Sequence, residues 1–153
     1  MEDFKRILVV SRMTANCQKA VHFGVSLARK HEAELTVIHV IHNPFGLEGW
    51  NLPTISLEKE YQEITRQAKQ DLDRILKNER SEGLAVTELI REGEPTKEIL
   101  KAVKELKIDL LIMLAHQEWR LEHFLFGRSN EEIVRTMPCS VLLVKNEPKP
   151  VRW

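Results

Sequence analysis

The chain has 153 residues, enough for one domain with a single sizeable core. Hydrophobic residues make up 42% and charged residues 30%, a globular balance that excludes a disordered chain. Lys plus Arg and Asp plus Glu number 23 each, so the near-zero net charge argues against a nucleic-acid or anionic-membrane binder, which needs a basic surplus.

No apolar run approaches the length of a bilayer span, and no membrane partner is expected. The start "MEDFKRILVV" lacks the cationic opening and long apolar stretch of a secretion signal. Cys17 and Cys139 lie far apart without a Cys-x-x-Cys pair, which suggests neither a disulfide framework nor a zinc site. The expected location is a reducing cytoplasm.

Strand and helix patterns then alternate. "RILVVS" (Arg6 to Ser11) is a continuous apolar run, as in a strand buried on both faces. Thr14 can cap a helix whose apolar positions Cys17, Val21, Val25 and Ala28 recur at helical spacing. "LTVIHVIH" (Leu35 to His42) is a second, β-branched strand. A Pro- and Gly-punctuated loop from Asn43 to Ser56 leads to a long helix ending near Arg80. That helix carries an apolar stripe of Leu57, Tyr61, Ile64, Ala68, Leu72 and Ile75, with Asp73 and Lys77 as an outward pair. A third strand is expected from Val86 to Arg91. Gly93 and Pro95 mark the next turn, and Pro suits the first turn of the helix that follows, which turns Ile99, Val103 and Leu106 inward. Ile108 to Leu114 and Cys139 to Lys145 are the fourth and fifth strands. A short helix from Ser129 to Met137 lies between them, stopped by Pro138.

This order predicts an α/β domain over residues 1–146: an open, five-stranded, mostly parallel sheet with helices on both faces, followed by a tail over 147–153. Ligands in such sheets bind beyond the carboxyl ends of the strands. Those ends are Val10-Ser11-Arg12, Val40 to Asn43, and Met113 to His116.

The pieces "KRILVVS", "AVHFGVSLARKHEAELTVIHV", "REGEPTKEILKAVKELKIDLLIML" and "GRSNEEIVRTMPCSVLLVK", in this order and spacing, resemble the universal stress protein family over residues 4 to 145. The resemblance implies a Rossmann-type fold and a homodimer joined through the last strand, at Val141, Leu142, Leu143 and Val144. In the family's nucleotide-binding branch the fourth strand runs into Gly-x2-Gly-x9-Gly-[Ser/Thr]. Those positions fall here at Leu114, Gln117, Gly127 and Arg128, so one of four matches. The branch's acidic residue after the first strand is Arg12 here. His116 falls on the family's loop histidine, and Val40 and Met113 fall on positions that wall the adenine. Val10, Ser11, Ser129 and Asn130 complete the equivalent pocket. The back of the pocket is kept and its phosphate end is rewritten.

A backbone wraps a triphosphate only where absent side chains let amides approach, so Leu114 and Gln117 are expected to intrude on that space. What remains is Gly127 before a helix start, with Arg128 and Arg12 nearby, a setting for a smaller anion. The alternative is that these two arginines pair with Glu118, Glu122 or Glu131. His42, His116 and His123 raise a metal site or a general base, but no ligand spacing supports a metal. Phe45, Trp50, Trp119, Phe124 and Phe126 sit in two loops at one end of the sheet. They form either a partner-docking patch or a mutual packing that fills the vacated pocket, and burial favours the second. Glu118 and Glu122 have no nucleophile beside them, and Ser11 and Ser129 lack a hydrolase elbow, so no catalytic set is found.

The expectation is therefore a stress-response or regulatory binding protein without ordinary ATP binding and without a required cofactor. The alternative is an ATP or AMP binder, at most slowly hydrolytic, whose phosphate site is rebuilt around Arg12 and Arg128.

Overall fold

Four consecutive apolar side chains after Arg6 leave no face of that strand for water, and β1 (Arg6–Ser11) accordingly lies at the centre of the sheet. The computed structural model describes residues 3–11, 17–41, 55–115 and 130–145. Within them follow α1 (Cys17–His31), β2 (Glu34–Ile41), α2 (Ile55–Ser81), β3 (Val86–Glu92), α3 (Pro95–Glu105), β4 (Leu110–Leu114) and β5 (Ser140–Val144). A further helix, α4, spans 130–136.

The strands pair in the order β3-β2-β1-β4-β5, and every pairing is parallel. Alternation along β1 divides the core into two layers. Ile7 and Val9 face α1 and α2, packing with Ala20, Val21, Val25, Ala28, Leu72 and Leu76. Leu8 and Val10 face the other side, where Ile99, Ala102 and Val103 of α3 and Ile133 of α4 close over them. The expected architecture, an α/β sheet covered on both faces, is the observed one.

Local chemistry sets the element boundaries. The fourth strand begins at Leu110 rather than at Ile108, because the Asp109 side chain turns back to bind β1. Its carboxylate accepts from the backbone N–H of Lys5 at 2.8 Å and of Arg6 at 3.1 Å. Ile108 is still buried, and its N–H is taken by the Val103 carbonyl at the end of α3. Gly93 has a φ of 140°, a region that favours glycine, and Pro95 stands in the first turn of α3 as expected. Glu94 caps that helix: its carboxylate accepts from Thr96 N at 3.1 Å and Lys97 N at 2.9 Å. At Gly24 the reason for glycine is space, since an added Cβ would stand 2.4 Å from Val9 Cγ2. Asp73 does not reach forward to Lys77. It pairs with Lys69, one turn earlier, at 3.1 Å, because Lys69 is also drawn to Glu88 on β3.

Candidate functional site

The order in which strands are added changes side between β1 and β4, since β2 and β3 lie to one side of β1 and β4 and β5 lie to the other. The helices that follow β1 and β4, α1 and α4, cover opposite faces of the sheet, which makes this border a switch point, the place where open α/β sheets leave a crevice. Ser11 ends β1 there, and Leu114 ends β4.

The side chains at this point are occupied by the core. Val10 is 5% exposed and Met113 is fully buried, both in the layer under α3 and α4, and Val40 packs half-buried against the same layer. Ser11, 4% exposed, is in register with His39 of β2. Leu114, expected to intrude on a phosphate space, is a buried core residue. Alternation with Leu110 and Ile112 turns it inward, and it lies 6% exposed among the core residues under α1.

Backbone groups at the end of β4 are also engaged. The Leu114 carbonyl accepts from Asn130 Nδ2 at 2.9 Å, and the Ala115 N–H donates to the Val144 carbonyl at 2.8 Å. Asn130, 7% exposed, thereby fastens the start of α4 to the strand.

Arg12, His42, Phe45, Trp50, His116, Gln117, Glu118, Trp119, Glu122, His123, Phe124, Phe126, Gly127, Arg128 and Ser129 lie outside the described residues, as does the tail over 147–153. Of the expected pocket residues, the structure describes Val10, Ser11, Val40, Met113, Leu114 and Asn130. Among the described residues no three His, Cys, Asp or Glu side chains converge as metal ligands. Burial pushes the Cys139 thiol above its ordinary range, which leaves it a weak nucleophile.

Two clefts of about 370 and 340 Å³ open at the opposite end of the sheet, one beside Arg29, Glu82 and Leu84, the other beside Arg6, Glu34 and Lys107. They are shallow and charged, and the Arg29 guanidinium in the first is already held by Glu79 and Glu82. The switch point, where strand order changes side, is the stronger candidate.

His39 is the residue that the sequence reading undervalued. It is fully buried between β1 and β3 and meets Glu88 of β3. The only sequence signal was a histidine in step with Leu35 and Val37, on the face that packs inward.

The model of the Universal stress protein family matches residues 3–145. Universal stress protein MJ0577 of Methanocaldococcus jannaschii is 24% identical, with 94% of this chain and 96% of that protein covered. Among solved structures, universal stress protein UspA from Lactobacillus plantarum superposes with a TM-score of 0.69 at 20% identity, covering 94% of this chain and 99% of its own. The universal stress protein from Archaeoglobus fulgidus, solved in complex with dAMP, gives a TM-score of 0.61 at 16% identity over 95% of this chain and 100% of its own. No helix among the described residues is long and apolar enough to cross a membrane.

Proposed function

We propose that this chain, which belongs to the universal stress protein family, is a cytoplasmic stress-response binding protein that acts through protein contacts and does not hold ATP in a glycine-rich phosphate loop. The observation that carries this reading is the engagement of the β4 end. A phosphate cradle needs free amides and bare backbone. Here the first amide after the strand, that of Ala115, is bonded to Val144, and the first glycine position is a core leucine. The sequence departures at Leu114, Gln117, Arg128 and Arg12 point the same way.

The working unit of this reading is a homodimer joined along β5. That strand lies at one edge of the sheet, with Leu143 45% exposed and Val141 and Leu142 half-buried. An apolar edge left open would invite association, and a second copy of the same strand satisfies it. Val144, also expected in that contact, is turned into the core. In this reading a protein partner is sought first at Phe45, Trp50, Trp119, Phe124 and Phe126.

A second reading keeps a nucleotide. The Archaeoglobus fulgidus relative was solved with dAMP, a monophosphate that needs less of a cradle than a triphosphate does. In that reading Gly127, Arg128 and Arg12 receive one phosphate and Val40 and Met113 back the base. Calorimetric titration of nucleotide-stripped protein with ATP, ADP and AMP, with an assay of nucleotide carried from cells, separates the two. No binding and no carried nucleotide supports the first reading. Micromolar affinity for any of the three establishes the second.

A further inference from the structure

Helix α2 is joined to the sheet by a polar thread as well as by apolar packing. At its inner end His39 is fully buried, yet its Nδ1 has no hydrogen-bond partner among the described residues. Its Nε2 lies 3.2 Å from Glu88 Oε1, close enough for an ion pair but off the angle of a hydrogen bond. The same oxygen, Glu88 Oε1, accepts from Lys69 Nζ of α2 at 2.6 Å, and Lys69 also binds Asp73 at 3.1 Å. The thread Asp73–Lys69–Glu88–His39 thus runs from the exposed surface of α2, across the β3 edge strand, into the interior. A buried imidazole with an unpartnered nitrogen is costly to keep and calls for an explanation.

We infer that this thread is a proton-operated latch: with His39 neutral, α2 stays docked on the β2–β3 edge, and proton uptake by His39 releases the middle of α2. The charged groups acting on His39 are Glu88 from β3 and Lys69 and Asp73 from α2, while its register neighbour on β1, Ser11, carries no charge. A proton arriving at His39 is favoured by Glu88 but loses more through burial, and Lys69 on the same carboxylate opposes it as well. It also enters a site closed to water, next to a second cation.

Burial pushes His39 below the ordinary histidine range. Glu88 opposes that shift and Lys69 reinforces it. Once undocked and hydrated, the imidazole titrates near about 6.5. Between the depressed docked value and that figure the undocked state binds more protons, so docking is fully stable above it and weakens as pH falls below it. For one proton the undocking constant rises by at most about tenfold between pH 7.5 and 5.5. The lower pH still lies above the ordinary carboxylate range.

Amide hydrogen exchange of α2 in the full chain, at pH 7.5 and 5.5 and corrected for intrinsic rates, reads this directly. The expected result is a fall in protection of the amides around Lys69 by several-fold, up to tenfold, in the wild type and none in His39→Phe. Unchanged protection in the wild type, or an equal fall in His39→Phe, overturns the latch. If that variant does not fold, an NMR titration of the wild-type His39 ring decides. Ring and α2 amide shifts moving together below pH 6.5 support the latch, and a ring that titrates while α2 stays still overturns it.

Discussion

Replacing Leu114 with alanine removes a side chain that is 6% exposed, lies on the α1 side of the sheet and ends the strand next to β1. The loss combines the transfer of the missing methyl groups with the cavity left behind, and buried Leu→Ala changes cost about 2–5 kcal/mol. Leu114 closes one end of its layer rather than standing at its middle, so a value of about 3 kcal/mol is expected. That is a large share of the roughly 5–15 kcal/mol that holds a domain together. Leu114→Gly should lose about 0.5–1 kcal/mol more through backbone entropy, whereas Leu114→Met should cost less than about 1.5 kcal/mol. Urea unfolding followed by circular dichroism reads all three as shifts of midpoint at constant slope. If Leu114→Ala and Leu114→Gly both cost under about 1 kcal/mol, the side chain is not part of the core, and the view of β4 as a closed strand end is wrong. The same series bears on the ligand question. Writing the family's first glycine back into this chain should weaken the fold without creating ATP affinity, because the Ala115 amide stays bonded to Val144.

Gly24→Ala pits a helix-propensity gain of up to about 1 kcal/mol against overpacking of about 1–3 kcal/mol. Val9 is a stiff β-branched residue that cannot swing clear of a Cβ at 2.4 Å. A net loss is expected, seen as a Tm lower by about 2–4 °C per kcal/mol, and a higher Tm would contradict the close approach. Glu94→Ala should cost about 1 kcal/mol by removing the acceptor for Thr96 N and Lys97 N. Glu94→Asp should keep most of it, and denaturant midpoints equal to wild type in both would show that the cap is idle. Leu143→Lys should halve the mass seen by light scattering while leaving the circular dichroism unchanged, and an unaltered mass removes β5 from the subunit contact.

The elements that reasoning from sequence reads well are those whose signal is local. β1 is found to the residue, because an uninterrupted apolar run admits few other readings. The turn at Gly93 and Pro95 announces the start of α3 by backbone chemistry alone. The second strand begins one residue earlier than expected, since Glu34 joins it through a bond from its N–H to the Lys5 carbonyl that hydropathy does not register. On α2, Leu72 is in the core as expected, but Leu76, fully buried, falls outside a stripe drawn with one or two residues per turn. What is illegible is whatever depends on register between distant strands. Glu88 reaches His39 only because β3 pairs with β2 so that Val37 stands opposite Glu88, and no local pattern in "VTELIRE" reveals this. The site divides in the same way. Its position follows from chain order, whereas the inward turn of Leu114 follows from strand parity within the folded sheet.

The strand order also gives the sheet two unlike borders. At one end β5 presents Val141, Leu142 and Leu143. At the other, β3 interposes Glu88, Arg91 and Glu92 among its apolar residues. A parallel sheet could in principle be extended indefinitely, the last strand of one molecule accepting the first border of the next. That heterologous contact would build an open filament. Here it would set an apolar ribbon against a charged one and strip water from its charged side chains. Like-with-like contact at the apolar border, as in the proposed dimer, would instead close on itself after two copies. The difference in chemistry between the two borders thus disfavours open-ended growth of the sheet.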